Sequence, residues 1–153
     1  MIPSASPRQR STERGEITWV TLVLLASLLG GGYLAVVWVP IYLIRYQAGL
    51  VATEFANKAI HNPDDDALVK EMCRKLAGLA EVRSPEPDGS ISLQPAVNLR
   101  LEDVKWERDA TSVPRMLHLA FAYTTSVHYP LIDRFSEKTF TIERTQDIQP
   151  VKW

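Results

Sequence analysis

The most informative absence in this sequence is charge: between Ile17 and Ile44 the chain contains no Asp, Glu, Lys or Arg. A helix of about 20 apolar residues is long enough to cross the hydrocarbon core of a bilayer. The uncharged run exceeds that length, so it predicts a transmembrane helix over residues 17–44.

Cysteine is almost missing as well, and neither sign of charge is in excess. Cys73 is the only cysteine, which excludes a disulfide within the chain. The chain has 17 basic and 18 acidic side chains, for a formal net charge of −1. A nucleic-acid-binding domain needs a basic footprint that this balance does not provide. We therefore expect no nucleic-acid partner.

Motifs that bring chemistry are missing too, including a glycine-rich phosphate loop, a C-x-x-C pair and a G-x-S-x-G elbow. Ser126, His128 and Asp133 have the side-chain types of a hydrolytic triad, but they crowd one strand and its turn. His118 and His128 could share a zinc ion, yet one straight strand would separate them by about 33 Å. Asp64–Asp66 are typical of a helix start, where the dipole favours anions. We expect no catalytic residue, no metal site and no cofactor.

The N-terminal apolar run could instead belong to a cleaved signal peptide, because Arg8, Arg10 and Arg14 precede it. However, no A-x-A pattern of small residues closes its first half, and Val36 to Ile44 remain uncharged. These details favour a retained anchor, and we therefore expect membrane lipid to be a partner of the chain.

The orientation of the anchor is indicated by the basic residues on its two sides. Three arginines precede the run, whereas Arg45 and Lys58 follow it. Basic flanks prefer the cytoplasm. We therefore expect residues 1–16 to form a disordered cytoplasmic segment, residues 17–44 to span the membrane, and residues 45–153 to form one small extracytoplasmic domain.

Small residues recur on one face of the predicted span. Ser27, Gly31 and Ala35 are spaced by four residues, so they share a helix face and would let a second helix approach closely. Self-association or a lateral membrane-protein partner is one interpretation. The other is that glycine is simply common in transmembrane helices.

Two helices are expected around the start of the outer domain. Helical spacing of apolar residues continues from Ala48 to Ile60 and ends at Asn62 and Pro63. The same two residues are expected to open a second amphipathic helix, with Asn62 as its cap and Pro63 at its first position. That helix is expected to run from Asp64 to Ala80.

Strand periodicity replaces helical periodicity after Ser84–Ser90, a turn-rich segment that is either a loop or the tip of a hairpin. Apolar and polar residues alternate near Val104–Trp106, Leu117–Tyr123 and Phe140–Ile142. Short connections predict an antiparallel three-stranded meander packed against the second helix, with a brief extended piece over Val97–Leu101. The expected fold class is α+β.

Several short motifs resemble one bacterial family. Arg14-Gly15 leads into the span, which ends Val39-Pro40-Ile41-Tyr42 and passes into Tyr46; Glu102-Asp103-Val104 then opens a strand, and a long strand with Tyr123 follows. From Arg14 to about Ile142 the chain resembles the short membrane proteins grouped as domain of unknown function 4845, a pilin-like family without an established activity. The resemblance implies an envelope protein of the bacterial inner membrane with a periplasmic domain, and it supplies no catalytic residues.

The order of a membrane helix followed by a small sheet also resembles type IV pilins. Their leader ends in Gly before an apolar residue, and their fifth mature residue is Glu. Here Gly15 is followed by Glu16, and Val20 stands at the fifth position. This departure weakens the expectation of pilin processing.

Three functions therefore remain open. The favoured one is a non-enzymatic envelope protein that presents its domain for protein–protein interaction or assembly. The second is a pilin-like or pseudopilin-like subunit of a filament or secretion apparatus. The third is a lipid- or peptide-binding accessory domain, which requires that the second helix leave the apolar face of Leu117–Tyr123 uncovered.

Overall fold

The computed structural model of the protein describes residues 18–109, 111 and 113–149. These residues form two α-helices, five strands and a short 3₁₀ turn in an α+β arrangement, which is the fold class that the sequence predicts. In chain order the elements are α1 (Trp19–Lys58), α2 (Asp65–Ala77), β1 (Glu81–Pro85), β2 (Ile91–Pro95), the 3₁₀ turn (Leu101–Asp103), β3 (Val104–Asp109), β4 (Met116–Tyr129) and β5 (Arg134–Asp147). The expected N-terminal segment 1–16 and the tail after Gln149 lie outside the described residues.

The chain divides into two compact units, the first ending at Leu34 and the second beginning at Ala35. In the first unit, the described residues from Trp19 onward are helical and their apolar side chains face outward. Leu28, for example, is 73% exposed. Exposed apolar side chains along a helix of this kind are not stabilised by water, so this part of α1 needs an apolar surrounding.

In the second unit, α1 has one buried face. Its buried positions follow helical spacing, beginning with Val37, Ile41, Ile44, Ala48 and Val51 and continuing to Phe55. Beside this face, Trp38 and Tyr42 make ring contacts with β4 and β5, so this part of α1 packs against the three-stranded sheet. The predicted continuation of the helix beyond Ile44 is therefore confirmed, and part of the apolar run serves the protein core.

The start of α2 differs from the prediction. Asp64, and not Asn62, is the N-cap: its carboxylate accepts the Ala67 N–H at 3.1 Å. The Asn62 side-chain oxygen instead accepts the Asp64 N–H at 3.0 Å, which closes a turn around Pro63. The cap lies two residues later than expected, because this turn uses Asn62 and Pro63 before the helix starts. The helix also ends at Ala77, three residues before the expected Ala80.

The segment with dense turn chemistry is a hairpin, which resolves the alternative left open by the sequence. β1 and β2 pair antiparallel on either side of it, with Pro85 opposite Ile91. Asp88 accepts the Ser90 N–H at 2.9 Å, and Gly89 has a φ of 84°, where glycine is favoured. The two strands were not predicted, since each is only five residues long, ends in Pro and offers at most two alternating aliphatic residues.

The predicted antiparallel meander is confirmed, with strand order β3-β4-β5. β4 buries alternate residues, namely Leu117, Leu119, Phe121, Tyr123, Thr125 and Val127. The sequence named α2 as the covering helix, whereas the ring contacts show that α1 also packs on this sheet. The apolar face is therefore covered, and the observation needed for a lipid- or peptide-binding face at Leu117–Tyr123 is absent.

The expected extended piece around Val97–Leu101 is also different. Val97 and Leu99 are buried but belong to no strand, and Leu101 begins the 3₁₀ turn. The alternation of apolar residues resembles that of a strand, because Val97 and Leu99 are buried from an irregular segment.

One arginine joins β3 to the end of α1 and the start of α2. The Arg108 guanidinium donates to both carboxylate oxygens of Asp65, with Nε at 2.8 and 2.9 Å. Its other nitrogens donate to the carbonyl oxygens of Ala59 at 3.0 Å and Asn62 at 2.7 Å. These carbonyls follow the last turn of α1, where backbone acceptors lack helical partners. Arg108 thus fixes the turn between the helices on the edge strand.

A second set of ion pairs joins the exposed sides of the two helices. Lys75 contacts Glu54 at 2.6 Å, and Lys58 contacts both Glu54 and Glu71 at 3.4 Å. The hydrogen bond from Lys75 holds the pKa of Glu54 below its usual value. Exposed pairs of this kind contribute little to stability, so we attribute the register of the two helices to Arg108 and the core.

Replacing Arg108 with Ala should lower the free energy of unfolding by about 2–3 kcal/mol, because Asp65 and two backbone carbonyls lose charged donors. Urea unfolding of the full chain in mild detergent, followed by tryptophan fluorescence, measures this change.

The matched control is Arg100→Ala, which removes an ion pair to Glu102 whose side chains are 81% and 73% exposed. That variant should unfold almost like the original chain. Equal destabilisation by both substitutions would contradict the role assigned to Arg108.

Candidate functional site

The small-residue face predicted from the sequence is open in the structure. Ser27, Gly31 and Ala35 belong to α1, and all three are exposed. Apart from its chain neighbours and the backbone of its own helix, no described atom lies within 4 Å of the place where a Cβ at Gly31 would stand. The residues therefore leave room for the close approach of another helix, and a helix-packing role for them stays a prediction.

Within the second unit, apolar side chains also face outward on α1. Val39, Leu43 and Leu50 are between 52% and 59% exposed, although neighbouring positions are buried against the sheet. They follow Ala35 at steps of four, four and seven residues, which is helical spacing. The outward side of this helix is thus apolar well beyond the predicted small-residue face.

An aromatic cluster joins the beginning of the second unit to the sheet: Trp38, Tyr42, Tyr123, Tyr129 and Phe140. The Trp38 ring lies 6.0 Å from Tyr42 and 6.4 Å from Tyr129, and Phe140 lies 6.1 Å from Tyr42 and 5.7 Å from Tyr123. Edge-to-face and tilted pairs at these distances add to the energy of burial. The cluster fixes this part of α1 on β4 and β5.

Beside the cluster, α1 and β5 border an open cleft of about 450 Å³ that includes Arg45, Tyr46, Glu143 and Arg144. Arg45 lies 5.4 Å from the centre of the Phe140 ring, a cation–π geometry. Arg144 passes over Gly49, where an added Cβ would stand 3.2 Å from its Nη2, and Nε donates to the Thr53 hydroxyl. A Cβ at position 49 would therefore make the guanidinium of this arginine shift by a few tenths of an ångström.

Tyr123 is the one group of the cluster with a large pKa shift. Its side chain is buried, and among the described residues its hydroxyl has no hydrogen-bond partner. Burial raises the pKa of Tyr123 to about 12, and the nearby positive charge of Arg45 offsets part of this rise. The phenol is held neutral in the folded domain.

The residues of the considered triad are only partly brought together. His128 Nε2 lies 3.1 Å from an Asp133 carboxylate oxygen, and the imidazole stacks on Phe135 with centroids 4.6 Å apart. Ser126 pairs with Glu137 in the sheet, and among the described residues its buried hydroxyl has no hydrogen-bond partner. His128 therefore stabilises the β4–β5 turn, and within the described part of the chain no hydrogen bond joins it to Ser126.

The other candidate ligands have structural contacts of their own. His118 lies 3.3 Å from the Thr145 hydroxyl across the sheet. Asp64 caps α2 and Asp65 binds Arg108. Within residues 18–109, 111 and 113–149, no group of three or more His, Cys, Asp or Glu side chains is arranged to hold a metal ion.

Two features of this region were missed by sequence reasoning. Trp38 and Tyr42 contact Tyr129 and Phe140, and these contacts could not be found without the sheet register. The apolar pair Leu131 and Ile132 in the β4–β5 turn was visible as an unusual turn composition, and this signal was not used.

Comparison with known proteins adds no relative: no protein-family model, no curated protein and no solved structure matches the chain. The resemblance to the domain of unknown function 4845 family therefore stays a prediction from the motifs.

The raised pKa of Tyr123 predicts that the stability of the protein falls at alkaline pH. Its folded pKa of about 12 exceeds the ordinary value of 10.0, so ionisation favours the unfolded chain: the free energy of unfolding is unaffected by this group below pH 10 and falls as pH rises from 10 to 12. In a near-ultraviolet tyrosinate titration of the full chain, the last phase should disappear in Tyr123→Phe.

The exposed Tyr46 provides the control, since Tyr46→Phe should leave that last phase in place. Because the Tyr123 hydroxyl has no partner among the described residues, Tyr123→Phe should also leave the protein at least as stable at neutral pH. A last phase that persists in Tyr123→Phe would show that another tyrosine is the buried one.

Proposed function

We propose that this chain is a non-enzymatic, single-pass membrane protein that presents its small α+β domain for protein–protein interaction or assembly in the cell envelope. In this proposal α1 anchors the chain, with the N-terminus in the cytoplasm and the domain in the periplasm of a bacterial inner membrane. Membrane anchoring is supported by the exposed apolar helix. The compartment and the orientation depend on the arginine distribution and the family resemblance.

The observation behind this proposal is the exposure of the apolar part of α1. Among the described residues, α1 is the helix long and apolar enough to cross a membrane, and only 6% of its most apolar window is buried. A core helix of a water-soluble protein would be mostly buried. A signal sequence passes the same test, but here the same helix continues into residues that pack on the sheet from Val37 onward.

A protein partner beside the anchor is the second part of the proposal. Ser27, Gly31 and Ala35 leave space for a helix, and Val39, Leu43 and Leu50 present apolar side chains at compatible spacing. The partner class is a membrane or envelope protein, or a second copy of this chain.

A filament or secretion subunit is the alternative function. It is favoured by one observation, namely a long helix whose C-terminal part packs on an antiparallel sheet, since type IV pilins also combine a membrane helix with a small sheet. In that case the exposed part of α1 would leave the bilayer and enter a helical bundle.

Carbonate washing of membranes followed by intact-mass measurement tests both functions. The anchored protein should stay in the pellet with an N-terminus at or near Met1, whereas pilin processing predicts a chain that starts at Glu16. Full-length protein in the supernatant would contradict the proposed anchoring.

The double variant Leu24→Arg/Leu28→Arg should shift the protein toward the supernatant of the carbonate wash. Each arginine at the centre of a span makes the free energy of membrane insertion less favourable by about 3 kcal/mol. The matched control is Leu101→Arg, at a residue of the outer domain that is 55% exposed. The control should stay in the pellet.

The lateral face is tested by Gly31→Ile, which should reduce the partners recovered with the protein from mild detergent, because the side chain blocks close approach. Gly30→Ile is the matched control, since it makes the same change at a neighbouring position that is equally open and points elsewhere. Equal recovery with both variants would remove this face from the proposal.

A further inference from the structure

The turn between β4 and β5 carries two large apolar side chains in the open. Leu131 is 76% exposed and Ile132 is 63% exposed. They stand side by side at the tip of a hairpin whose strands pair as far as Tyr129 and Arg134. We call the segment Tyr129–Arg134 the apolar tip.

The apolar tip is a well-formed turn. The Ile132 N–H donates to the Tyr129 carbonyl at 3.3 Å. Asp133 has a φ of 45°, a left-handed conformation that Asp tolerates, and its carboxylate lies 3.1 Å from His128. The backbone and the polar side chains thus fix the direction in which Leu131 and Ile132 are presented.

This composition is unusual for a turn in water, where polar residues, Gly and Pro dominate. The β1–β2 hairpin of the same domain shows the ordinary pattern, since its turn is Glu86-Pro87-Asp88-Gly89-Ser90. Single exposed apolar residues need no explanation. Two adjacent aliphatic side chains on one tip form a small apolar patch, whose meaning depends on what lies beside it.

The location of the tip identifies that surrounding. The Tyr129 ring packs edge-on against Trp38 at 6.4 Å, so the tip lies beside this part of α1. The uncharged run extends to Ile44, but its residues from Val37 onward include positions buried in the domain. Counted from Ile17, the about 20 residues that a hydrocarbon core requires end just before these positions, near residue 36. Trp38 therefore follows directly after the span, at the depth where tryptophan and tyrosine favour the boundary between lipid and water.

We propose that the apolar tip is a second membrane contact, in which Leu131 and Ile132 enter the interfacial layer of the leaflet next to Trp38. This inference rests on the anchoring proposed above. Trp38 and Tyr129 would lie at headgroup level, and the exposed Arg134 would reach the headgroups. The domain would then be attached to the bilayer at two points, which restricts its tilt.

The test places an environment-sensitive fluorophore on single cysteines of the full-length protein in phosphatidylcholine–phosphatidylglycerol vesicles. The background is Cys73→Ala, and the labelled variants are Leu131→Cys and Ile132→Cys. Both sites are exposed turn positions, so labelling leaves the core unchanged. Blue-shifted emission and quenching by lipids brominated near the headgroup are expected at both.

Val113→Cys is the matched control, because Val113 is apolar, 92% exposed and located before the start of β4. The length of β4 places it about 40 Å from the tip. Its label should show neither the blue shift nor the quenching.

Each remaining outcome is informative. Water-like emission at residues 131 and 132 in protein that stays in the carbonate-washed pellet would overturn the tip contact and leave the anchoring intact. Protection from aqueous iodide without bromine quenching would indicate that a second copy of the chain covers the tip, and it would also overturn the tip contact with lipid. Release of full-length protein by carbonate would overturn the anchoring and the tip contact together.

Discussion

The structure depends on one helix, α1, whose two parts must suit two different surroundings. A bilayer offers no water to backbone groups, so a helix that crosses it must be apolar on all sides and internally hydrogen-bonded. A helix that packs on a sheet needs only one apolar face. In this chain the described residues up to Leu34 expose apolar side chains, whereas from Val37 onward buried residues recur on one face. The proposed anchoring and the position of the domain both follow from this change.

The domain is attached to α1 by contacts of different kinds at its two ends. Near Trp38 and Tyr42 the contacts are aromatic and fix β4 and β5 on the helix. Near Ala59 a single guanidinium joins the helix end, α2 and β3. Between them the core is formed by small and medium apolar residues such as Ala48, Ala52 and Leu119. The apolar tip is held beside Trp38 as a consequence of this attachment.

Much of the fold could be predicted from periodicity, because α1 and the alternating strands around Leu119 and Phe140 follow rules that depend on neighbouring residues alone. The hairpin β1–β2 could not, since its strands contain Pro85 and Pro95 and bury little. Arg108 could not be identified either, because its partners lie 43 to 49 residues away in the sequence. The small-residue face was visible from spacing, whereas the contact between Trp38 and Tyr129 required the register of β4.

Accessibility of nitroxide labels along α1, measured on the full chain in vesicles, tests the change of surroundings most directly. With Cys73 replaced, labels at Leu24 and Leu28 should collide with oxygen and be shielded from a water-soluble nickel reagent. A label at Leu50, which is 52% exposed on the same helix, should collide with the nickel reagent. Equal access of the nickel reagent to all three positions would contradict the account.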